Sequence, residues 1–268
     1  MTPSRQRVAL VGAMVLSACG SPVPPAPEAP ASVSAAERLP LGPARGDAET
    51  FSWRMVVRGV EVAQFDLRAS SVADVVRVVS RGSVRGVARF FRTFDAQAVA
   101  IIERVTGRNR TALRETRGQG AFRRTSLRFG RSAAHGIVGD GETSRAFERR
   151  SISNLAPLSS EAFLLALRQW RPKRGERAIS VVQGASELWL IELRAHAARM
   201  TSAPIGDRRA QELVGSAKRL AADGTLANAR PRPLTIFISD DADRLPLRVE
   251  SKIGAASIKL ELLSYAKR

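Results

Sequence analysis

From Phe51 onward, apolar and polar residues alternate with period two. In FSWRMVVRG, Phe51, Trp53, Met55 and Val57 fall on one side while Ser52, Arg54 and Arg58 fall on the other, the signature of a half-buried strand. Gly59 then turns the chain into VEVAQFDLR, which predicts an opening hairpin. Further strands are expected at residues 75–80, 98–103, 111–117 and 122–128, separated by Gly82, TGRN and RGQG. RGVARFFRTFDAQ places Val87, Phe90, Phe91 and Phe94 at helical spacing and reads either as a short helix or as an extended edge.

The clearest helix is SSEAFLLALRQWRP. Ser159 or Ser160 caps its start, Glu161 suits the first turn, and Pro172 stops it. Phe163, Leu164, Leu167 and Trp170 form one apolar stripe, which predicts a helix lying across a sheet face. Strands resume at AISVVQG, ELWLIELRA, LTIFISD, LPLRVES and ASIKLELLSY. RRAQELVGSAKRLA has helical propensity, but its setting among strands favours a strand. The expected fold is mainly β: roughly ten strands, more than the usual five or six of one sheet, with one helix packed on them. So large an antiparallel sheet must curl, which predicts a strongly curved sheet or half-open β-barrel.

Ahead of this region, Arg5 and Arg7 precede a short apolar run at residues 8–16, the pattern of a secretory signal. The run falls short of the about 20 residues a spanning helix needs. Leu16, Ser17, Ala18 and Cys19 resemble the lipobox of bacterial lipoproteins. That resemblance implies a diacylglycerol on the Cys19 thiol, cleavage between Ala18 and Cys19, and acylation of the new amino group. An ordinary signal peptide cut near Ala18 is the alternative. Three acyl chains hold a protein on a membrane where one does so only marginally. GSPVPPAPEAPASVSAAE follows, a proline-rich stretch without apolar periodicity that reads as an extended tether. The expected layout is a signal at residues 1–18, lipidated cysteine and tether at 19–48, and a single β-rich domain at 49–268. Gly20 occupies the place where an aspartate tends to retain lipoproteins in the inner membrane, so the resemblance implies the outer membrane of a Gram-negative cell, facing the periplasm.

Composition narrows the function. Cys19 is the one cysteine in 268 residues, so a disulfide within the mature chain and a cysteine-based metal or redox site are both excluded. The formal net charge is +18, and residues 77–150 carry 17 basic against 6 acidic side chains. Such a surface suits anionic lipid headgroups or envelope polymers. Only 5 of the 43 basic residues are lysine, the bias expected of a GC-rich genome, and that compositional origin is the favoured reading of the excess. Nucleic acid is not an expected partner of an exported chain with one tyrosine and no binding motif.

Candidate chemistry is sparse. His135 and His196 lie in different segments, and neither has a second ligand at metal spacing. Neither a nucleophile elbow nor a phosphate loop is present, so no catalytic residue and no cofactor are expected. His196 reads as a strand-end residue. Asp240, Asp241 and Asp243 in SDDADRLP offer a calcium site or a hairpin turn; the spacing departs from a calcium loop, and Arg244 is an available internal partner.

LTIFISDDADRLPLRVESKIGAASIKLELLSY resembles the closing segment of domain of unknown function 3108, a bacterial envelope family. LSSEAFLLALRQWRPKRGERAISVV is similar to that family's helix and following strand, and FSWRMVVRGVEVAQFDL to its opening hairpin. The resemblance implies a periplasmic or lipid-anchored, mostly β protein and carries no catalytic residues. Two functional expectations follow. In the first, the sheet wraps an apolar groove for a lipid or other hydrophobic ligand, with the stripe of Phe163, Leu164, Leu167 and Trp170 as lid or plug. In the second, the chain is a non-enzymatic scaffold whose arginine-rich surface meets anionic lipids, polymers or a partner protein. Membrane attachment through Cys19 is common to both.

Overall fold

The computed structural model describes residues 37–39, 48–86, 89, 94–118, 121–184, 187–253 and 255–268. The expected signal, Ala18, Cys19 and most of the tether lie outside them, as do Val87, Phe90 and Phe91. Nine strands come first: β1 (Glu37–Arg38), β2 (Glu49–Val57), β3 (Val60–Val72), β4 (Val75–Val84), β5 (Asp95–Glu103), β6 (Asn109–Gly118), β7 (Ala121–Phe129), β8 (Ala133–Gly139) and β9 (Ser144–Arg150). A 3-10 turn (Ile152–Asn154), the short β10 (Pro157–Ser159) and the helix α1 (Ser160–Gln169) follow. The chain then builds β11 (Arg177–Gln183), β12 (Leu188–Thr201), β13 (Arg208–Arg219), β14 (Arg232–Ser239), β15 (Pro246–Ile253) and β16 (Ala256–Lys267).

Among the described residues all sixteen strands belong to one sheet, ordered β1, β11 to β16, then β2 to β9, with β10 also beside β11. Its ladder is antiparallel except where β1 and β10 run parallel to β11, and it does not close. The pairing of β16 with β2 sets Leu260 opposite Met55 and Leu262 opposite Trp53, which joins the two halves of the chain.

The opening hairpin forms as the alternation predicts. Phe51, Trp53 and Met55 are buried, and Arg58 and Gly59 at φ 51° and 84° make the two-residue left-handed turn that suits twisted strands. The expectation of about ten strands is too low. β8 and β9 escaped it because few of their residues are buried, so no alternation marks them. β1 and β10 are two and three residues long and pair parallel to a distant strand, which local periodicity cannot signal. Gly82 lies within β4 rather than ending it. The 208–219 segment is a strand, as its neighbours implied.

The runs AISVV and LWLI have a physical explanation. In β11, Ala178 and Val182 enter the main core while Ile179 and Val181 enter a second one; in β12, Trp189, Ile191 and Leu193 take the first and Leu188 and Leu190 the second. Strands covered on both faces read as continuous hydrophobic runs. The second core is completed by Ala134 of β8, Leu155 and Leu220. Side chains from β2 to β7 and from β11 to β16 converge with α1 in the main core. β6 also meets the far end of the sheet: Arg114 donates to the Gly184 and Gln183 carbonyls just past and at the end of β11, with nine strands between the two in the ladder.

Two polar expectations change. His196 is not a strand end but lies inside β12, where the register with β13 shifts between Ala195 and Ala198. In SDDADRLP the turn is real: Asp241 accepts from the backbone N–H groups of Asp243 and Arg244 at 3.0 Å each and from Ser239 Oγ at 2.7 Å. The acids take other arginines, Asp241 pairing with Arg208 and Asp240 with Arg209. The Arg244 guanidinium is buried and donates instead to the Trp170 and Ser239 carbonyls.

Candidate functional site

Helix α1 begins at Ser159, whose hydroxyl accepts from the Ala162 N–H at 3.2 Å, and ends where Pro172 disfavours helix for the residue before it. Phe163, Leu167 and Trp170 are buried against the sheet, and Leu164 is half-buried. Phe163 and Leu164 line a cavity beneath the helix; Leu167 and Trp170 pack into the core beside it. The sheet side of the cavity is formed by Trp53, Phe65, Leu67, Ile191, Ile236 and Leu260. Its volume is about 80 Å³. Ligand pockets begin at roughly 300 Å³, so the apolar stripe leaves only a small space over the face it covers.

Glu161 stands at the edge of this cavity with Ser80 and Ser160. Its carboxylate lies 3.6 Å from Arg114 Nη2 and accepts from Ser80 Oγ at 3.1 Å and Ser160 Oγ at 3.2 Å. Arg114 Nη2 donates to Ser160 Oγ at 2.7 Å. Burial pushes the Glu161 pKa up, but the Arg114 charge and the hydrogen bonds outweigh it and hold the carboxyl below its ordinary value. The start of the helix is therefore fixed to β4 and β6 by a buried, charged cluster. Asn109 adds a further tie, its Oδ1 accepting from the Ser159 N–H at 2.9 Å.

The other end is fixed in the same way. Arg168 donates to both oxygens of Glu49 at 2.6 and 2.8 Å and to the Asp243 carbonyl through Nε and Nη2. Its guanidinium stacks 5.0 Å from the Phe51 ring centroid. Tyr265 Oη donates to Glu49 Oε1 at 2.7 Å. Burial, then the Glu49 hydrogen bond and charge, push the Tyr265 pKa up to about 12. Arg244 caps the helix end through the Trp170 carbonyl at 2.6 Å.

Glu161 and Arg168 are seven residues apart, two helical turns, so they share one face with Leu164. That spacing was the available signal for the pairs. Their partners Arg114, Ser80, Glu49 and Tyr265 are unpatterned in the sequence and become neighbours only through the sheet order. His135 and His196 are exposed on separate strands, and His135 Nδ1 lies 3.7 Å from Glu148. Among the described residues no group of three or more His, Cys, Asp or Glu side chains is placed to hold a metal ion. The buried polar groups thus hold a helix in place, and the cavity beside them is apolar and small.

Comparison with one solved structure supports the architecture. A β-barrel-like protein of domain of unknown function 1849 from Brucella abortus superposes with a TM-score of 0.59 at 7% identity, covering 84% of this chain and 99% of that one. That likeness is one of fold. A predicted exported protein with a YmcC-like fold from Bacteroides fragilis is similar at a TM-score of 0.36 and 10% identity, covering 85% and 99% of the two chains. A predicted lipoprotein from Parabacteroides distasonis gives 0.35 and 5%, covering 86% and 99%. Comparison with curated proteins gives no match. Residues 50–263, from the second residue of β2 to within the last strand, match the pattern of one family; the chain belongs to DUF3108, a family of proteins of unknown function.

Proposed function

We propose that this chain is a non-enzymatic lipoprotein of the cell envelope, attached through Cys19 to the outer membrane, which works by surface contact with anionic envelope components. The observation that carries this reading is the small size of the space beneath α1. A cavity of about 80 Å³, under a helix fixed at both ends by buried ion pairs, is well below the size of ordinary ligand pockets. The sheet is read as wrapping around α1, with the helix as a plug. The arginine excess then provides the recognition chemistry: Arg68, Arg77, Arg81, Arg117, Arg124 and Arg128 are exposed along β3, β4, β6 and β7. The leader supports the address, since Leu16 to Cys19 places a cysteine where lipidation requires it.

The competing reading is a hydrophobic ligand held under α1 after the helix moves away. Native mass spectrometry of the protein extracted from its own membrane separates the two. The expected mass is that of the triacylated chain cut before Cys19, without further lipid. A second, non-covalent lipid bound one per chain overturns the proposal.

A further inference from the structure

Where the tether joins the fold, the sheet presents an unusual arrangement of charge. β1 sets Glu37 opposite Ala178, the second residue of β11. Immediately beside that point Arg177 lies directly opposite Arg194 on β12, and both are exposed. Like charges facing one another across a ladder are destabilising. The loop that leads into Arg177 adds exposed Arg171, Lys173 and Arg174. It is held along β12 by the Gly175 N–H to the Ala195 carbonyl at 2.8 Å and the Ala195 N–H to the Glu176 carbonyl at 2.9 Å. The loop thus brings three further cations and one acid, Glu176, whose carboxylate accepts the Lys173 N–H at 2.9 Å, into the segment that leads to Arg177.

The neighbouring arginines are arranged differently. Arg199, Arg208 and Arg209 pair with Glu212, Asp241 and Asp240 at 2.9, 3.0 and 3.1 Å. Among the described residues none of the five patch cations forms an ion pair. An opposed, unneutralised pair of arginines suits a surface of anions that lies against the protein from outside.

The sequence indicates which surface comes within reach. About 18 residues separate Cys19 from Glu37, a contour of at most about 60 Å, and Glu37, the first described residue, pairs beside the patch. We infer that Arg177, Arg194 and the 171–174 loop dock this face onto the phosphate headgroups of an anionic bilayer leaflet. The inference rests on the anchored reading above and adds to the β3–β7 arginines a second contact surface, at β11 and β12. Docking of this kind holds the opposite end of β12 and β13, and the loop that follows β13, away from the membrane.

The test uses the full, lipidated chain reconstituted into phosphatidylcholine vesicles with or without phosphatidylglycerol. A donor fluorophore is placed on Ala197→Cys, beside the patch, or on Ala222→Cys, in the loop after β13; both positions are exposed. Energy transfer to a headgroup-labelled acceptor lipid should be greater from position 197 than from 222. The difference should grow with phosphatidylglycerol and shrink as salt shortens the screening length from about 10 Å to about 3 Å. Arg177→Ser and Arg194→Ser should each weaken docking about five-fold. Equal transfer from both positions, or transfer indifferent to phosphatidylglycerol, overturns the docking while leaving the anchor intact. A chain that fails to float with neutral vesicles overturns the anchor, and the docking with it.

Discussion

Arg168 of α1 and Glu49 of β2 form a two-pronged ion pair, 2.6 and 2.8 Å, with 4% and 2% of their side chains exposed. The planar guanidinium matches the carboxylate, and the Asp243 carbonyl and Tyr265 hydroxyl satisfy the remaining sites. Breaking one side of such a pair strands a buried charge. Arg168→Met should cost about 3–5 kcal/mol in urea denaturation. Adding Glu49→Leu should recover most of that loss, because the desolvated carboxylate is then gone.

Tyr265 reports on the same cluster. Its folded-state pKa of about 12 stands above the ordinary 10.0, so its contribution to stability is fully present below pH 10 and is lost as pH rises through 12. Ultraviolet titration of this single tyrosine should show the phenolate appearing near pH 12 in the native protein. Glu49→Gln removes the charge facing it and should move that midpoint down.

At the helix start the sign is reversed. Glu161 has a folded pKa below its ordinary 4.5, so its stabilisation is present above pH 4.5 and disappears as pH falls through the lower folded value. Glu161→Gln should flatten the stability profile below pH 4.5, measured as the urea midpoint against pH. An unchanged acid slope would remove Glu161 from the account of how the helix is held.

How much of this was legible depended on whether a residue's role is local. The hairpin of Phe51 to Phe65 and the stripe of α1 announce themselves because burial repeats at the period of the backbone. β9 does not, since SRAFERR is almost wholly exposed. Nor do β1 and β10, whose pairing with β11 is set by the long-range order of the sheet. The helix was visible as amphipathic, but whether its stripe closes a groove or fills it depends on volume, and volume is a property of the packed molecule. Arg114 was unreadable for a related reason: it looks like any strand arginine until β6 meets the end of β11.

Gly215 shows the close approach of β12 and β13. A Cβ there would fall 1.7 Å from the Glu192 carbonyl oxygen, a backbone atom that cannot rotate aside. Gly215→Ala should therefore destabilise the fold by at least about 2 kcal/mol, seen as a shifted urea midpoint.

The claim that α1 is a fixed plug, tied down at both ends over a small cavity, is tested most directly by native-state hydrogen exchange. Amides of Ala166 to Trp170, which donate inside the helix, should exchange only through global unfolding, at the free energy shown by Ile191 and Leu193 in β12. Exchange of the helix about 100-fold faster than β12, through an opening that leaves the sheet protected, would make α1 a lid and contradict the account.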